Sequence, residues 1–221
     1  MESLVAPKKL VDQAYAAILD AICSGTLKPG ERLTQDGVAK RLNVSRQPIH
    51  NALLVLKAQG FVHEAGRRGL SVAPLDAKFF DAIYQFRSAV EPLAVSLAVA
   101  HLDQRAAQKG RALIARGKAA AERNDPKSLI AADMAFHSLV YALSDNSLIV
   151  ETMRLNWHHL RRAMGQTLRL PGLAGRVWKE HEAIFEAMIA GETDKAARLM
   201  HDHVVMAHRD VSIALRASST P

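Results

Sequence analysis

Residues 33–60 read LTQDGVAKRLNVSRQPIHNALLVLKAQG, from Leu33 to Gly60, and the spacing predicts two short helices joined by a tight turn. Thr34 is placed to cap the first helix, whose apolar positions Val38, Ala39 and Leu42 keep the three-to-four spacing of one buried face. Asn43 suits the turn, because asparagine tolerates the left-handed backbone that a sharp exit from a helix needs. Ser45 is an N-cap residue type for the second helix. Pro48 falls in that helix's first turn, where a missing N–H breaks no intrahelical bond. Ile49, Ala52, Leu53 and Leu56 then form an inward stripe, which leaves Arg46, Gln47 and His50 outside at the N-terminal end. A helix offered end-first, with a cation, hydrogen-bonding side chains and few acids, suits the groove of a nucleic acid. Its free N–H groups and dipole also favour a phosphate.

The flanks extend this reading. Residues 61–65 (FVHEA) and 70–73 (LSVA) are short β-prone runs on either side of Gly66, Arg67, Arg68 and Gly69, a Gly-bounded basic tip. Upstream, Leu10, Ala14, Ile18 and Ile22 place one helix face against the same small core, and residues 25–30 (GTLKPG) make a turn-rich break. Helix, helix-turn-helix and hairpin in that order predict a winged helix-turn-helix that binds double-stranded DNA. Arg46, Gln47 and His50 belong to its recognition helix, and Arg67, Arg68 and Gly69 to its wing.

Charge agrees with this expectation. The 221 residues hold 29 Lys and Arg against 22 Asp and Glu, a formal net charge of +7 that suits a polyanion. Residues 1–75 carry 10 basic and 6 acidic side chains, and residues 76–221 carry 19 and 16, so the excess is denser at the N-terminal end. A hydrophobic fraction of 49% can bury a substantial core. The single cysteine, Cys23, excludes a disulfide framework and a sulfur-rich metal site, and it reads as a small core residue. The opening MESLVAPKKL lacks the apolar run of a signal peptide. The longest apolar region, residues 89–100, contains Glu91 and Pro92, so a cytoplasmic protein with no membrane association is expected.

Residues 73–75 (APL) mark a boundary, giving a DNA-binding domain over residues 1–75 and a second domain over residues 76–221. Beyond the boundary the periodicity is helical, with breaks near residues 102–103, 124–126, 144–146, 170–172 and 191–194. These breaks delimit six helices of about 17 to 25 residues, long enough for an antiparallel bundle. Asp103, Asp125, Asn146 and Thr193 are natural N-caps for four of them. The fold expected is therefore mainly α, a winged helix-turn-helix followed by an all-α bundle.

Within the bundle, Asp133 and His137 are four residues apart on one helix and share a face, so both can reach one ion. His181 falls in an apolar stripe with Trp178, Ile184, Phe185 and Met188, where an unpaired imidazole is poorly placed, and His203 lies beside Val204, Val205 and Met206. Three imidazoles and a carboxylate suit a divalent ion, zinc first, with nickel or manganese as alternatives. The same four side chains also suit satisfied core or helix-end positions. His101, His158, His159, His201 and His208 are expected at solvent-exposed positions. A metal able to activate water would also allow a metal-dependent hydrolase, with Glu180 and Glu182 flanking His181, but no catalytic residue stands out.

Residues 25–33 (GTLKPGERL), 42–53 (LNVSRQPIHNAL) and 60–62 (GFV) resemble the N-terminal domain of GntR-type transcription regulators. The remainder is similar to the FCD effector domain of their FadR-like subfamily. Residues 86–94 (FRSAVEPLA) match its first helix, residues 133–137 (DMAFH) its metal pair, Asn146 the following cap, and His181 and His203 the remaining ligand slots. Six helices rather than seven suggest the shorter, VanR-like variant. The resemblance implies that Arg46 contacts bases or phosphates in the major groove, where arginine pairs with guanine. It implies a homodimer on a palindromic operator and a small carboxylate effector held beside the metal, with Arg87, Arg154 and Arg161 as its candidate partners. A ligand-responsive regulator that represses until the acid binds is therefore expected, with a metal sensor, in which the ion itself is the signal, as the alternative. The chain departs from the family at Gln47, His50 and Asn51, where threonine, arginine and glutamate are usual, so a different half-site and more pH-sensitive DNA binding are expected.

Overall fold

The computed structural model describes residues 8–66, 69–167 and 172–218. The chain forms two compact units, Met1–Leu75 and Asp76–Pro221.

In the first unit, α1 (Lys8–Cys23) precedes a two-residue strand β1 (Arg32–Leu33), α2 (Gln35–Leu42), α3 (Arg46–Ala58), β2 (Val62–Glu64) and β3 (Leu70–Val72). Thr34 caps α2, its Oγ1 accepting the Gly37 N–H at 3.1 Å. Asn43 ends α2 in the left-handed region (φ 52°, ψ 48°), and its N–H reaches back to the carbonyls of Ala39 and Lys40. Ser45 occupies the N-cap position of α3 with extended backbone, but its hydroxyl makes no capping bond. The sheet order is β1-β3-β2, all antiparallel, with Leu33 opposite Leu70 and Val62 opposite Val72. β1 is too short to leave a periodic signal. α1 packs on α3, and Ile18, Ile22, Ile49, Leu53, Leu56, Phe61 and Val72 close the core. Leu10, expected on that core face, is exposed because it lies in the first turn of α1 and overhangs the packed region. Cys23 is a buried free cysteine.

The second unit consists, among the described residues, of six helices: α4 (Ala77–Val99), α5 (Gln104–Glu122), α6 (Pro126–Leu143), α7 (Ser147–Thr167), α8 (Leu173–Ile189) and α9 (Thr193–Ser218). Asp76, Asp103 and Asp125 each accept a backbone N–H at the start of α4, α5 and α6, and Asn146 Oδ1 accepts two at the start of α7. Thr193 is the first residue of α9 rather than its cap. The expected break at residues 170–172 lies partly outside the described residues, and Gly172, at φ 73°, leads into α8. α4 packs most extensively on α9, and α5 on α6 and α8. Two glycines bring α5 close to α8: a Cβ at Gly110 would lie 1.9 Å from the Phe185 ring, and one at Gly117 would lie 2.1 Å from the Trp178 indole. α8 is thereby held with His181 buried in the bundle interior. No described helix is long and apolar enough to cross a membrane.

Candidate functional site

His137 on α6, His181 on α8 and His203 on α9 are all buried, and each offers a ring nitrogen within 4.8 Å of the others. Nε2 of His181 stands 3.3 Å from Nε2 of His203 and 3.5 Å from Oδ1 of Asp133, which is buried one turn before His137 on α6. Two ligands of a tetrahedral zinc ion, each at about 2.0–2.1 Å, are about 3.3–3.4 Å apart. The donor set and its spacing therefore fit such an ion. Both ring nitrogens of His137 are buried without a hydrogen-bond partner, a costly state in an apolar interior unless one of them meets an ion. Burial, followed by the charges of His203, His137 and Arg87, pushes the His181 pKa well below its ordinary 6.5, so its ring stays neutral and able to donate a lone pair.

Carboxylates stand behind two of these imidazoles. Glu91 on α4 is fully buried. Burial alone would raise its pKa, but Arg87 and His137 hold it well below the usual carboxylate range. Its Oε1 accepts from Arg87 Nε at 2.6 Å and from the Tyr141 hydroxyl at 2.8 Å, and Trp157 Nε1 in turn donates to that hydroxyl at 3.3 Å. Its Oε2 lies 2.9 Å from His137 Nδ1, within ion-pair range although off the direction of a linear hydrogen bond. Glu180 on α8 lies 2.8 Å from His203 Nδ1 and accepts from Arg176 Nη1 at 2.6 Å, and Arg176 Nη2 also pairs with Asp210 of α9. His181 has a different support: Phe136 stacks on it at 4.4 Å and Trp178 meets it edge-on at 4.8 Å.

A cavity of about 60 Å³ adjoins the cluster, enough for several water-sized groups. Asp133, His203, Arg87 and Asp210 contribute polar groups to its lining, and Leu129, Trp157, Leu160, Met164, Val177 and Val211 contribute apolar wall. Of the candidate effector-binding arginines, Arg87 lines this cavity, its guanidinium 4.9 Å from the Tyr84 ring centroid. Arg154 is exposed and pairs with Glu151 at 3.3 Å, and Arg161 is half-buried on α7 outside the cavity wall.

Sequence reasoning missed Glu91, Arg176 and Asp210 as members of this site and treated Glu180 only as a neighbour of His181. Arg87 with Glu91, and Arg176 with Glu180, share an i, i+4 spacing that offered a signal. Glu180 is bound to His203 and Arg176, and Glu182 pairs with Lys118 at 2.5 Å, so neither is placed as the general base of a hydrolase. Three of the other histidines depart from the exposure expected of them. His159 is buried, edge-on to Phe79 at 4.8 Å. His158 is half-buried. His208 is half-buried, bonded to Asp81 at 2.7 Å and stacked on Tyr84.

On the first unit, Arg46 and Gln47 are exposed at the start of α3 and His50 is half-buried. Arg46 pairs with Asp36, Gln35 Nε2 lies 3.0 Å from His50 Nδ1, and Gln47 reaches Asn51 at 3.5 Å. Asp36 and Gln35, at the start of α2, are thus neighbours of Arg46 and His50 that the sequence alone did not single out. Arg67 and Arg68 lie outside the described residues. Gly69 carries the chain back into β3, its carbonyl accepting from the Ala65 N–H at 2.9 Å. A Cβ at Gly69 would lie 3.0 Å from Arg32 Nε.

Residues 10–72 match the family of bacterial regulatory proteins called gntR, and residues 82–206 match the FCD domain. The chain is 30% identical over 199 residues to the uncharacterized HTH-type transcriptional regulator YdhC of Bacillus subtilis (strain 168), covering 89% of this chain and 86% of that protein. It is 28% identical over 133 residues to the HTH-type transcriptional regulator McbR of Escherichia coli (strain K12), covering 60% of each. The solved structure of E. coli McbR/YncC shares the fold with a TM-score of 0.81 at 20% identity, covering 99% of this chain and 100% of that one.

Proposed function

The chain belongs to the GntR family of bacterial regulatory proteins and carries an FCD domain, which makes it a DNA-binding transcription regulator, and we propose that it is a repressor released by a small organic acid bound beside a metal ion. The observation that carries this reading is the convergence of three buried imidazoles and Asp133 beside a small, largely apolar cavity. His137, His181, His203 and Asp133 hold the ion, zinc in the first instance, with nickel or manganese as alternatives. Beyond these four protein ligands, an ion that expands to five- or six-coordination keeps a position, and its positive charge, for a carboxylate. Arg87 supplies a second cation in the lining of the same cavity, and the apolar wall receives the body of the acid.

On the DNA side, Arg46, Gln47 and His50 read the major groove. Arg67, Arg68 and Gly69 bring the wing to the backbone or minor groove. A homodimer presents two such heads to a palindromic operator in the cytoplasm. The acid changes operator affinity only to the extent that it binds more tightly to one arrangement of the bundles than to the other.

The test begins with genomic fragments of the host, enriched on the immobilised full-length protein to supply an operator duplex. Anisotropy titrations of that duplex with zinc-loaded protein are then run against acetate, pyruvate, butyrate and benzoate. Weakened binding with at least one acid, abolished by His181→Ala, supports the reading. Operator affinity unmoved by every acid overturns it, and a response to zinc alone reassigns the signal to the ion.

A further inference from the structure

The two carboxylates behind the histidine cluster repeat one arrangement on two separate helices. On α4, Arg87 donates to Glu91 one turn later, and Glu91 lies 2.9 Å from His137 Nδ1. On α8, Arg176 donates to Glu180 one turn later, and Glu180 lies 2.8 Å from His203 Nδ1. In both, an arginine holds a glutamate that lies against Nδ1 of a cluster histidine, and for His203 that is the side away from the cluster, because its Nε2 stands 3.3 Å from Nε2 of His181.

We propose that Glu91 and Glu180 are positioning residues that fix the tautomer and ring orientation of His137 and His203, so that both present a bare Nε2 to the ion. The inference rests on the reading that the cluster holds a metal. A neutral imidazole carries its proton on either nitrogen, and the form with the proton on Nε2 cannot ligate through that atom. A carboxylate at Nδ1 selects the Nδ1–H form, makes the ring a stronger donor, and stops it from rotating away. His203 shows the result: with Glu180 at Nδ1, its Nε2 stands 3.3 Å from Nε2 of His181. His137 has both ring nitrogens buried without a hydrogen-bond partner, with Glu91 Oε2 2.9 Å from Nδ1 but off the hydrogen-bond direction, so a small rotation of its ring completes the same pairing. His181 lacks a carboxylate at Nδ1 and is set by the rings of Phe136 and Trp178 instead. The arginines keep the glutamates from swinging inward to become ligands themselves. Arg176 is in turn tied to Asp210, which lines the cavity, so the support of His203 extends to the wall against which an acid would lie.

Glu180 is the residue to change, because its side chain is 25% exposed and its loss leaves no sealed charge, whereas Glu91 is fully buried. Full-length protein stripped of metal is titrated with zinc in competition with a chromophoric chelator. The comparison covers wild type, Glu180→Ala, Glu180→Gln and His181→Ala. Nitrogen-15 spectra of the histidine rings in the zinc-free proteins report the tautomer. Glu180→Ala is expected to lower zinc affinity roughly 10- to 100-fold and to convert His203 from a single Nδ1–H form to a mixture. Glu180→Gln, whose Oε1 still accepts a hydrogen bond, restores the tautomer and most of the affinity. A merely structural glutamate would leave the tautomer unmoved. Wild-type affinity in Glu180→Ala, with His181→Ala still defective, overturns the positioning role and leaves the metal site standing. Equal zinc binding by wild type and His181→Ala overturns the metal site itself.

Discussion

Arg87 donates through Nε to Glu91 Oε1 at 2.6 Å, one turn further along α4, with both side chains sealed from solvent. Such a pair is stable only as a pair, because removing one member leaves a charge with no water to solvate it. Arg87→Ala is therefore expected to destabilise the bundle by about 3–5 kcal/mol, read as a lowered urea midpoint of the helical signal. A loss below about 1 kcal/mol, the level of an exposed pair, would show that solvent reaches Glu91.

The approach of α5 to α8 depends on two missing side chains. Gly117→Ala gains helix propensity of about 1 kcal/mol but drives a methyl group into the Trp178 indole, and the overpacking is expected to leave a net loss of about 1–2 kcal/mol. Gly165 is the control: it lies within α7, and a Cβ there meets nothing within 4 Å, so Gly165→Ala should raise the melting temperature. If both substitutions stabilised the protein, the close α5–α8 packing would be wrong.

Acid should weaken the metal-free protein in two stages. Burial, with positive neighbours adding to it, holds His181 below 6.5, so the unfolded chain takes up a proton that the folded chain refuses. The stability that His181 contributes is complete above about pH 6.5 and is lost as pH falls. Glu91 and Glu180 are each held below 4.5, against the upward push of burial, by Arg87 and His137 in one case and by His203 and Arg176 in the other. Their contribution is complete above about pH 4.5 and is lost below it. Thermal melts from about pH 8 to about pH 3 should show a level midpoint down to about pH 6.5 and a falling one below it, with the lower stage, below about pH 4.5, reduced in Glu180→Gln. A midpoint that stays flat or rises below about pH 6.5 would contradict the burial of these groups.

Arg46 is exposed at the start of α3 and paired with Asp36, which pre-orients its guanidinium. Arg46→Ala is expected to cost about 1–3 kcal/mol of discrimination between operator and scrambled duplex, and Arg46→Lys to recover phosphate attraction without the discrimination. Equal losses on both duplexes would make Arg46 a phosphate contact only.

The elements set by short-range patterns were legible in the sequence. Thr34 and Asn43 bound α2 through local caps, and the breaks at Asp103, Asp125 and Asn146 coincide with helix starts, because capping chemistry acts over three residues. Asp133 and His137 were legible as a pair because one helical turn places them on one face. What brings Glu91 to His137 and Glu180 to His203 is packing between different helices, which no local period encodes. Only the Arg87–Glu91 and Arg176–Glu180 spacings were open to reading, and that pattern belongs far more often to solvated helix faces than to cores. Leu10 and His159 mark the same boundary from the other side, since how far a core extends past a helix end, or whether a ring such as Phe79 covers a histidine, depends on tertiary packing.

The most direct test of a metal-centred, acid-responsive bundle is native mass spectrometry of the full-length protein purified from its own host without chelator. The account predicts the mass of two chains with one divalent ion per chain and a small retained acid, and loss of both ion and acid in His181→Ala. Wild-type protein that flies free of metal, and stays so after zinc is added, would contradict it.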